Sequence, residues 1–382
     1  MKNTSQIYIN EAALKNNINF IKKMIGKKSR ISSVVKGNAY GHGIEEYVPL
    51  AEKLGINHFS VFSTYEAKRV KKVCSKDSQI MIMGMLENSE LNWIIKNNIE
   101  FFVFNFRRLK AAISRAKKLN IPARIHIEVE TGLNRTGFNQ EELTELTEML
   151  KDNSEDLVLE GICSHYAGAE SISNYYRIKK QIKKFDKYVK YFTNEGIEFK
   201  LKHTACSAAS ISYPQTRMDM VRVGILQYGF WPTNEIFVNY VGKRKSKSNP
   251  LQTVLSWKTS IMSIKSIKRG EFVGYGDAFL ANEDMTIAVI PIGYANGYSR
   301  LLGNKGSLLV KGKRLNVIGN VNMNLSIIDV SQIPDLKIGD EVTLIGKQKE
   351  DEIKIASFQE YNTALNYELL TCLPSNIERI II

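Results

Sequence analysis

The chain has 382 residues but only four cysteines, Cys74, Cys163, Cys206 and Cys372, and none lies in a Cys-x-x-Cys pair. That excludes a disulfide framework and gives no zinc-binding pattern, and no other metal site is expected. No apolar run reaches the roughly 20 residues needed to cross a bilayer. The first residues, Met1-Lys-Asn-Thr-Ser, lead into a short alternating segment instead of an apolar signal sequence. Acidic residues are in deficit, 39 against 53 Lys and Arg, for a formal net charge of +14. The excess is scattered in runs such as Lys68-Arg-Val-Lys-Lys72 and Lys243-Arg-Lys-Ser-Lys247, which read as solvated faces and loops. No nucleic-acid motif accompanies the charge. The expectation is a soluble, reduced, cytoplasmic protein with neither a membrane nor a nucleic acid as partner.

What is present is alternation. Residues 6–10 read as a strand, and Asn10 can cap a helix from Glu11 to about Met24. Short apolar strands then follow, near Val34, 58–63, 79–84, 101–105, 123–130, 157–164, 201–205 and 220–224, with amphipathic helices between them. Eight strand–helix units predict a closed (β/α)8 barrel. No Gly-x-Gly-x-x-Gly follows a strand, which argues against a doubly wound dinucleotide fold. Beyond about Val238 the helical period fades, and β-rich runs with Gly turns predict a mostly-β second domain with one helix near 355–362. The expected division is 1–240 for the barrel and 241–382 for the β-domain, with a strand of the β-domain as the alternative assignment of residues 1–10.

The most unusual stretch is Val34-Val-Lys36-Gly-Asn-Ala-Tyr-Gly-His-Gly43. A β-branched run delivers a lysine at a strand end, followed by a glycine-rich loop. Two readings stand: an amine whose pKa burial lowers, making it a nucleophile able to form a Schiff base, or a lysine that snorkels to solvent. Barrel active sites lie at the C-terminal strand ends. There this chain places Lys36 and Tyr40, then Glu128, Glu130 and Arg135, then His165, then His203 and Ser207, then Arg222, Gly224 and Ile225. Loops after the seventh and eighth strands of such barrels often bind phosphate through backbone N–H groups. A lysine beside a phosphate pocket is what pyridoxal phosphate (PLP) requires.

These segments resemble the alanine racemase family, PLP enzymes of fold type III. The Lys36 stretch resembles its cofactor attachment site. Glu130-Thr-Gly-Leu-Asn-Arg-Thr-Gly137, Ser164-His-Tyr-Ala, His203-Thr-Ala-Cys-Ser-Ala-Ala209 and Asp219-Met-Val-Arg-Val-Gly-Ile-Leu-Gln-Tyr-Gly229 resemble its other barrel motifs. Val273-Gly-Tyr-Gly-Asp277, Pro291-Ile-Gly-Tyr-Ala-Asn-Gly297, Asn322-Met-Asn324 and Asn366-Tyr-Glu-Leu-Leu resemble segments of its β-domain, and the match is collinear over essentially the whole chain. The resemblance implies an isomerase that interconverts L- and D-alanine and supplies D-alanine for peptidoglycan. Lys36 and Tyr275 would be the two catalytic bases, the tyrosine coming from the second subunit of a homodimer with shared sites. Tyr40, His165, Ser207, Gly224, Ile225 and Tyr367 would hold the cofactor, with Arg222 on its ring nitrogen. Arg135, Met323 and Tyr294 would meet the substrate, and Glu128 and His203 would support the site. Because a guanidinium keeps its protons, the ring nitrogen stays unprotonated, which suits proton removal and return better than transamination or decarboxylation.

The chain departs from the family in places. Glu128 stands where a carbamylated lysine is usual, Cys206 where Asn is usual, and Asn322-Met323-Asn324 where Cys-Met-Asp is usual. These positions bear on specificity, so serine or a broader amino-acid range is the alternative to alanine. A decarboxylase is opposed by Arg222, and a non-catalytic PLP carrier by the retained Tyr275.

Overall fold

The computed structural model describes residues 4–355 and 366–382, without the side chains of Asn366 and Tyr367. The expected helix near 355–362 and the expected cofactor contact of Tyr367 therefore lie outside the described residues. By contact density the chain forms two units. One comprises residues 14–39 and 48–252, the other residues 1–13, 40–47 and 253–382.

The first unit contains eight parallel strands: β2 (Arg30–Val34), β3 (His58–Val61), β4 (Gln79–Ile82), β5 (Glu100–Val103), β6 (Ala123–Glu128), β7 (Leu157–Cys163), β8 (Leu201–His203) and β9 (Met220–Val223). Their order is β8-β7-β6-β5-β4-β3-β2-β9. The outermost pair is joined by the Arg222 N–H to Ala205 O bond, 3.0 Å, and the Asp219 N–H to Lys202 O bond, 3.1 Å, so the sheet closes into a barrel. The intervening helices show why they form. Asn105 caps Phe106–Leu119 through its side chain, and Leu109, Ala112, Ile113 and Ala116 bury one face at helical spacing. Ser63 caps Thr64–Val73 in the same way.

The interior of this barrel is not the usual stack of branched aliphatics. Ser32, Ser60, His58, Glu100, His126 and His203 are all at most 1% exposed, and Arg222 is 5% exposed. Buried polar groups of this kind persist only when hydrogen-bonded, and here they are.

The second unit is built on a ten-stranded sheet containing β1 (Ser5–Ile9), β10 (Leu255–Ser260), β11 (Ser263–Ile267), β12 (Met285–Ile290), β13 (Ser307–Val310), β14 (Lys313–Ile318), β15 (Ser326–Asp329), β16 (Glu341–Gln348), β17 (Asp351–Ile353) and β18 (Glu378–Ile381). The main path runs β11-β12-β15-β14-β13-β16-β10-β1-β18, with β17 on β16. The N-terminal strand β1 thus lies between β10, antiparallel, and β18, parallel. Strands β11, β17 and β18 had no clear sequence signal: β11 shows no alternation of buried and exposed residues, and β17 has three residues. One core of this unit gathers Ile267, Val273, Ala281, Met285, Ile287, Ile318 and Ile327.

Two loops of the second unit are tied backbone to backbone. Tyr294 N–H donates to Asn322 O at 3.0 Å, and Ala295 N–H to Met323 O at 2.9 Å. Gly293 permits the approach, since a Cβ there would lie 2.1 Å from Asn322 O. Replacing Gly293 with Ala should therefore cost about 1–3 kcal/mol of stability through forced separation of the loops, read as a lowered urea midpoint.

Candidate active site

Lys36 follows the all-buried end of β2, and the chain then turns in an unexpected way. Gly37, Asn38, Ala39 and Tyr40 have φ of 61°, 54°, 53° and 50°, a single left-handed helical turn. Only glycine enters that region freely; for the others it costs roughly 1–2 kcal/mol each, and such strain persists where surroundings fix it. The surroundings are visible. Glu66 accepts from Gly37 N–H at 2.7 Å and from Phe62 N–H at 2.9 Å, and Arg69 donates to Asn38 Oδ1 at 2.7 Å. On the strand side, Gln227 Nε2 and Tyr228 Oη both donate to Val34 O, at 3.0 and 2.9 Å, while Ser33 Oγ donates to Gln227 Oε1 at 2.8 Å. Lys36 itself is exposed, not buried as its strand would suggest. Desolvation by the surrounding protein still lowers its ammonium pKa, and the positive charge of Arg135 adds to this.

Arg222 is held by five acceptors. Nη1 donates to His203 Nδ1 and, at 2.9 Å, to His203 O; Nη2 donates to Ser164 O at 2.7 Å, to Thr204 O at 3.3 Å and to His165 Nδ1 at 3.5 Å. All these bonds use the terminal nitrogens; the Nε–H makes none with the described residues. Burial, with Arg222, Arg135 and Lys36 nearby, pushes His165 down to about 3, so its imidazole is neutral at ordinary pH. Any positive charge at this position comes from the arginines.

Glu128 is 4% exposed, and burial raises its carboxyl pKa, with Thr136 and Arg135 acting in the opposite direction. Arg135 is exposed on the following loop. That loop is organised by Glu130, whose carboxylate accepts from the backbone N–H groups of Gly132, Asn134 (2.8 Å) and Arg135 (3.4 Å). Gln181, which carried no sequence signal, links it to the His165 loop: Nε2 donates to Thr131 Oγ1 at 3.1 Å and His165 O at 3.0 Å, and Oε1 accepts from Ala167 N–H at 2.9 Å.

Ser207 opens the helix Ser207–Ser212, and its Oγ accepts from Gly224 N–H at 2.9 Å. The turn Ile225–Tyr228 starts at the next residue. The first N–H groups of each turn are unused within it. Ser207 hydroxyl, these N–H groups and the Arg222 Nε–H form a donor set, which suits a phosphate and an unprotonated ring nitrogen. The residues present therefore fit PLP.

In the second unit, Tyr275 stands between Gly274 and Gly276, both at positive φ, at the tip of a loop closed by Val273 N–H to Phe279 O, 2.9 Å. Asn320 Nδ2 holds its carbonyl at 3.0 Å. Its side chain is 74% exposed; those of Met323 and Tyr294 are 57% and 43% exposed. Tyr294 and Met323, distant in sequence, are brought together by the loop pairing described above. Tyr40 ends the left-handed turn and clusters with this unit.

The depressed histidines set an acid limit on stability. Burial lowers the folded-state pKa of His58, His165 and His203 below the ordinary 6.5, that of His203 well below it. The unfolded chain binds protons there first, so stability is lost as pH falls below about 6.5. The urea midpoint should be lower at pH 5 than at pH 7, and His165→Asn should reduce that difference.

Profiles of the alanine racemase N-terminal and C-terminal domains match residues 9–232 and 254–381. An alanine racemase of Leptospira interrogans is 32% identical over 386 aligned residues, covering 100% of this chain and 97% of that protein. The solved alanine racemase of Bacillus anthracis with bound L-Ala-P superposes with a TM-score of 0.91 at 28% identity, covering 100% of this chain and 96% of the other. That of Bartonella henselae, with covalently bound pyridoxal phosphate, gives 0.85 at 25% identity with full coverage of both. With a lysine at the strand end, a donor-lined barrel rim and both domains matched along their length, this chain belongs to the alanine racemase family.

Proposed function

We propose that the protein is a PLP-dependent alanine racemase, working by two bases and supplying D-alanine for peptidoglycan. The observation that carries this reading is Lys36, an amine with lowered pKa at the end of β2, on the same barrel as Ser207 and Arg222. Lys36 would hold the cofactor covalently through Nζ, and Ser207, Tyr40 and the backbone of Gly224 and Ile225 would hold its phosphate, with Tyr367 near by. Arg222 would direct its Nε–H to the ring nitrogen, and His165 would lie against the ring face as a neutral imidazole. When bound, PLP supplies the electron sink that makes the α-proton of an amino acid removable.

The protein's own groups then move one proton. Lys36 Nζ serves Cα on one face and Tyr275 Oη on the other. A phenol of ordinary pKa ~10 needs a positive neighbour to act near neutrality, and Arg222 is the buried cation of the site. Arg135 binds the substrate carboxylate, Met323 and Tyr294 bound the side-chain pocket, and Glu128 and His203 support the two arginines. Glu128 can be the anion that orients Arg135 directly, where the family uses a carbamylated lysine. We assign Tyr275 to the active site of a second copy: in one chain it is an exposed tip, and the family resemblance makes it a shared base. Exposed Phe62 and Met85 on the barrel rim, and Phe272 and Leu280 beside Tyr275, supply apolar surface for such a homodimer.

Three measurements decide this. Purified protein with PLP should show the visible absorption of lysine-bound cofactor, and Lys36→Ala should lose it. Tyr275→Phe should keep the absorption but lose solvent exchange of the Cα hydrogen from L-alanine. Lys36→Ala and Tyr275→Phe chains, each inactive, should regain about a quarter of wild-type activity when refolded together, because mixed dimers of this symmetry carry one intact shared site; no recovery would refute sharing. A panel of chiral substrates ranks alanine against serine, and rescue of a bacterium requiring D-alanine tests the cell-wall role.

A further inference from the structure

A continuous line of hydrogen bonds crosses the barrel interior, from Arg222 to a carboxylate on the far side. Arg222 Nη1 meets His203 Nδ1; His203 Nε2 meets His126 Nδ1 at 2.9 Å; His126 Nε2 meets Glu100 Oε2 at 2.9 Å. The same Glu100 oxygen takes His58 Nε2 at 3.1 Å, and His58 Nδ1 meets Ser32 Oγ at 2.9 Å. On its other oxygen Glu100 receives Arg124 Nη2 at 3.0 Å.

The direction of this line follows from its ends. A guanidinium only donates, and an ionised carboxylate only accepts. His203 Nδ1 must therefore be bare, which puts its proton on Nε2. That N–H must find an acceptor, so His126 Nδ1 is bare and its proton is also on Nε2, pointing at Glu100. A single tautomer at each ring satisfies every contact; the reverse tautomers would set a His203 N–H against the Arg222 N–H and a bare His126 Nε2 against the Glu100 carboxylate. Burial opposes charge on Glu100, but the hydrogen bonds from His126 and His58 outweigh it and hold the carboxyl well below the ordinary range. His203 is held neutral by burial and by Arg222. Gly161 makes the middle link possible: a Cβ there would lie 2.4 Å from His126 Nδ1 and 3.1 Å from His203 Nε2.

We propose that Glu100 is a positioning residue for the racemase reaction: it fixes the tautomers of His126 and then His203, and so keeps an acceptor facing Arg222 that sets the guanidinium's orientation. This rests on the reading that Arg222 serves the cofactor ring. Nothing in Glu100's sequence position at the start of β5, the N-terminal end of the barrel strand, would otherwise connect it to the reaction.

The test begins with cofactor-free, full-length protein labelled with 15N at its five histidines. In the wild type, His126 and His203 should both be neutral with the proton on Nε2. Glu100→Gln keeps the shape and removes the charge. It should shift the His126 and His203 nitrogen resonances and lower kcat for alanine about tenfold or more, while KM changes less than about twofold. Gly161→Ala, which removes no polar group, should shift the same resonances and give the same kcat–KM split. A proton on Nδ1 of either His126 or His203 in the wild type overturns the proposal, as does an unchanged kcat in folded Glu100→Gln. If that variant does not fold, the wild-type tautomers and Gly161→Ala decide. Finding the expected tautomers in a protein that binds no PLP would overturn the functional reading and leave the hydrogen-bond line intact.

Discussion

A side chain that can only donate governs the barrel interior. Arg222 brings five N–H groups and no acceptor into a space from which water is nearly excluded. Everything around it answers that demand: the carbonyls of Ser164, His203 and Thr204, two imidazole nitrogens, and at a distance the Glu100 carboxylate. A positive charge this deep is tolerable only when it is hydrogen-bonded and balanced. The carboxylate at the end of its hydrogen-bond line, Glu100, lies two histidines away and is itself ion-paired with Arg124. An adjacent carboxylate would neutralise the field of the guanidinium where a ligand meets it; a remote one satisfies the protein and leaves that field in place.

Much of this was legible in the residues. The βα alternation identified the barrel because each strand is short, apolar and followed by a helix with a clear buried face. Lys36, His165, Ser207 and Arg222 were legible because strand ends of such a barrel point to one rim. The alternating segment 6–10 announced a strand but not its partners, since β10 and β18 lie roughly 250 and 370 residues away. What sequence reading could not supply was the support beyond Glu128 and His203. Glu100 and His58 sit at strand starts, where position gives no hint of chemistry, and Gln181 looks like any polar residue on a long helix. The left-handed turn was also invisible: Gly37 announces freedom of φ, but Asn38, Ala39 and Tyr40 adopt the same region only because Glu66, Arg69 and their neighbours hold them there.

Of the three departures from the family pattern, Cys206 precedes the Ser207–Ser212 helix as its N-cap residue, and the other two rest on different physics. Glu128 is buried on β6 and its charge depends on Thr136 and Arg135, so its replacement for a longer anion changes how far the loop arginine can be drawn. Asn322 and Asn324 flank Met323 on a loop whose backbone is fixed by hydrogen bonds to Tyr294 and Ala295. Side-chain chemistry there can vary while the backbone stays put, which is the arrangement expected where one scaffold is adapted to different side chains of a substrate.

The placement of β1 has a consequence for synthesis on the ribosome. This strand is made well before β18, which is one of its two neighbours. Residues 14–252 can acquire nearly all of the first unit's sequence before any of that sheet can be completed. Through that interval β1 is a strand with both edges unsatisfied, and its brevity and its polar residues Ser5 and Gln6 limit its use as a template by the wrong chain.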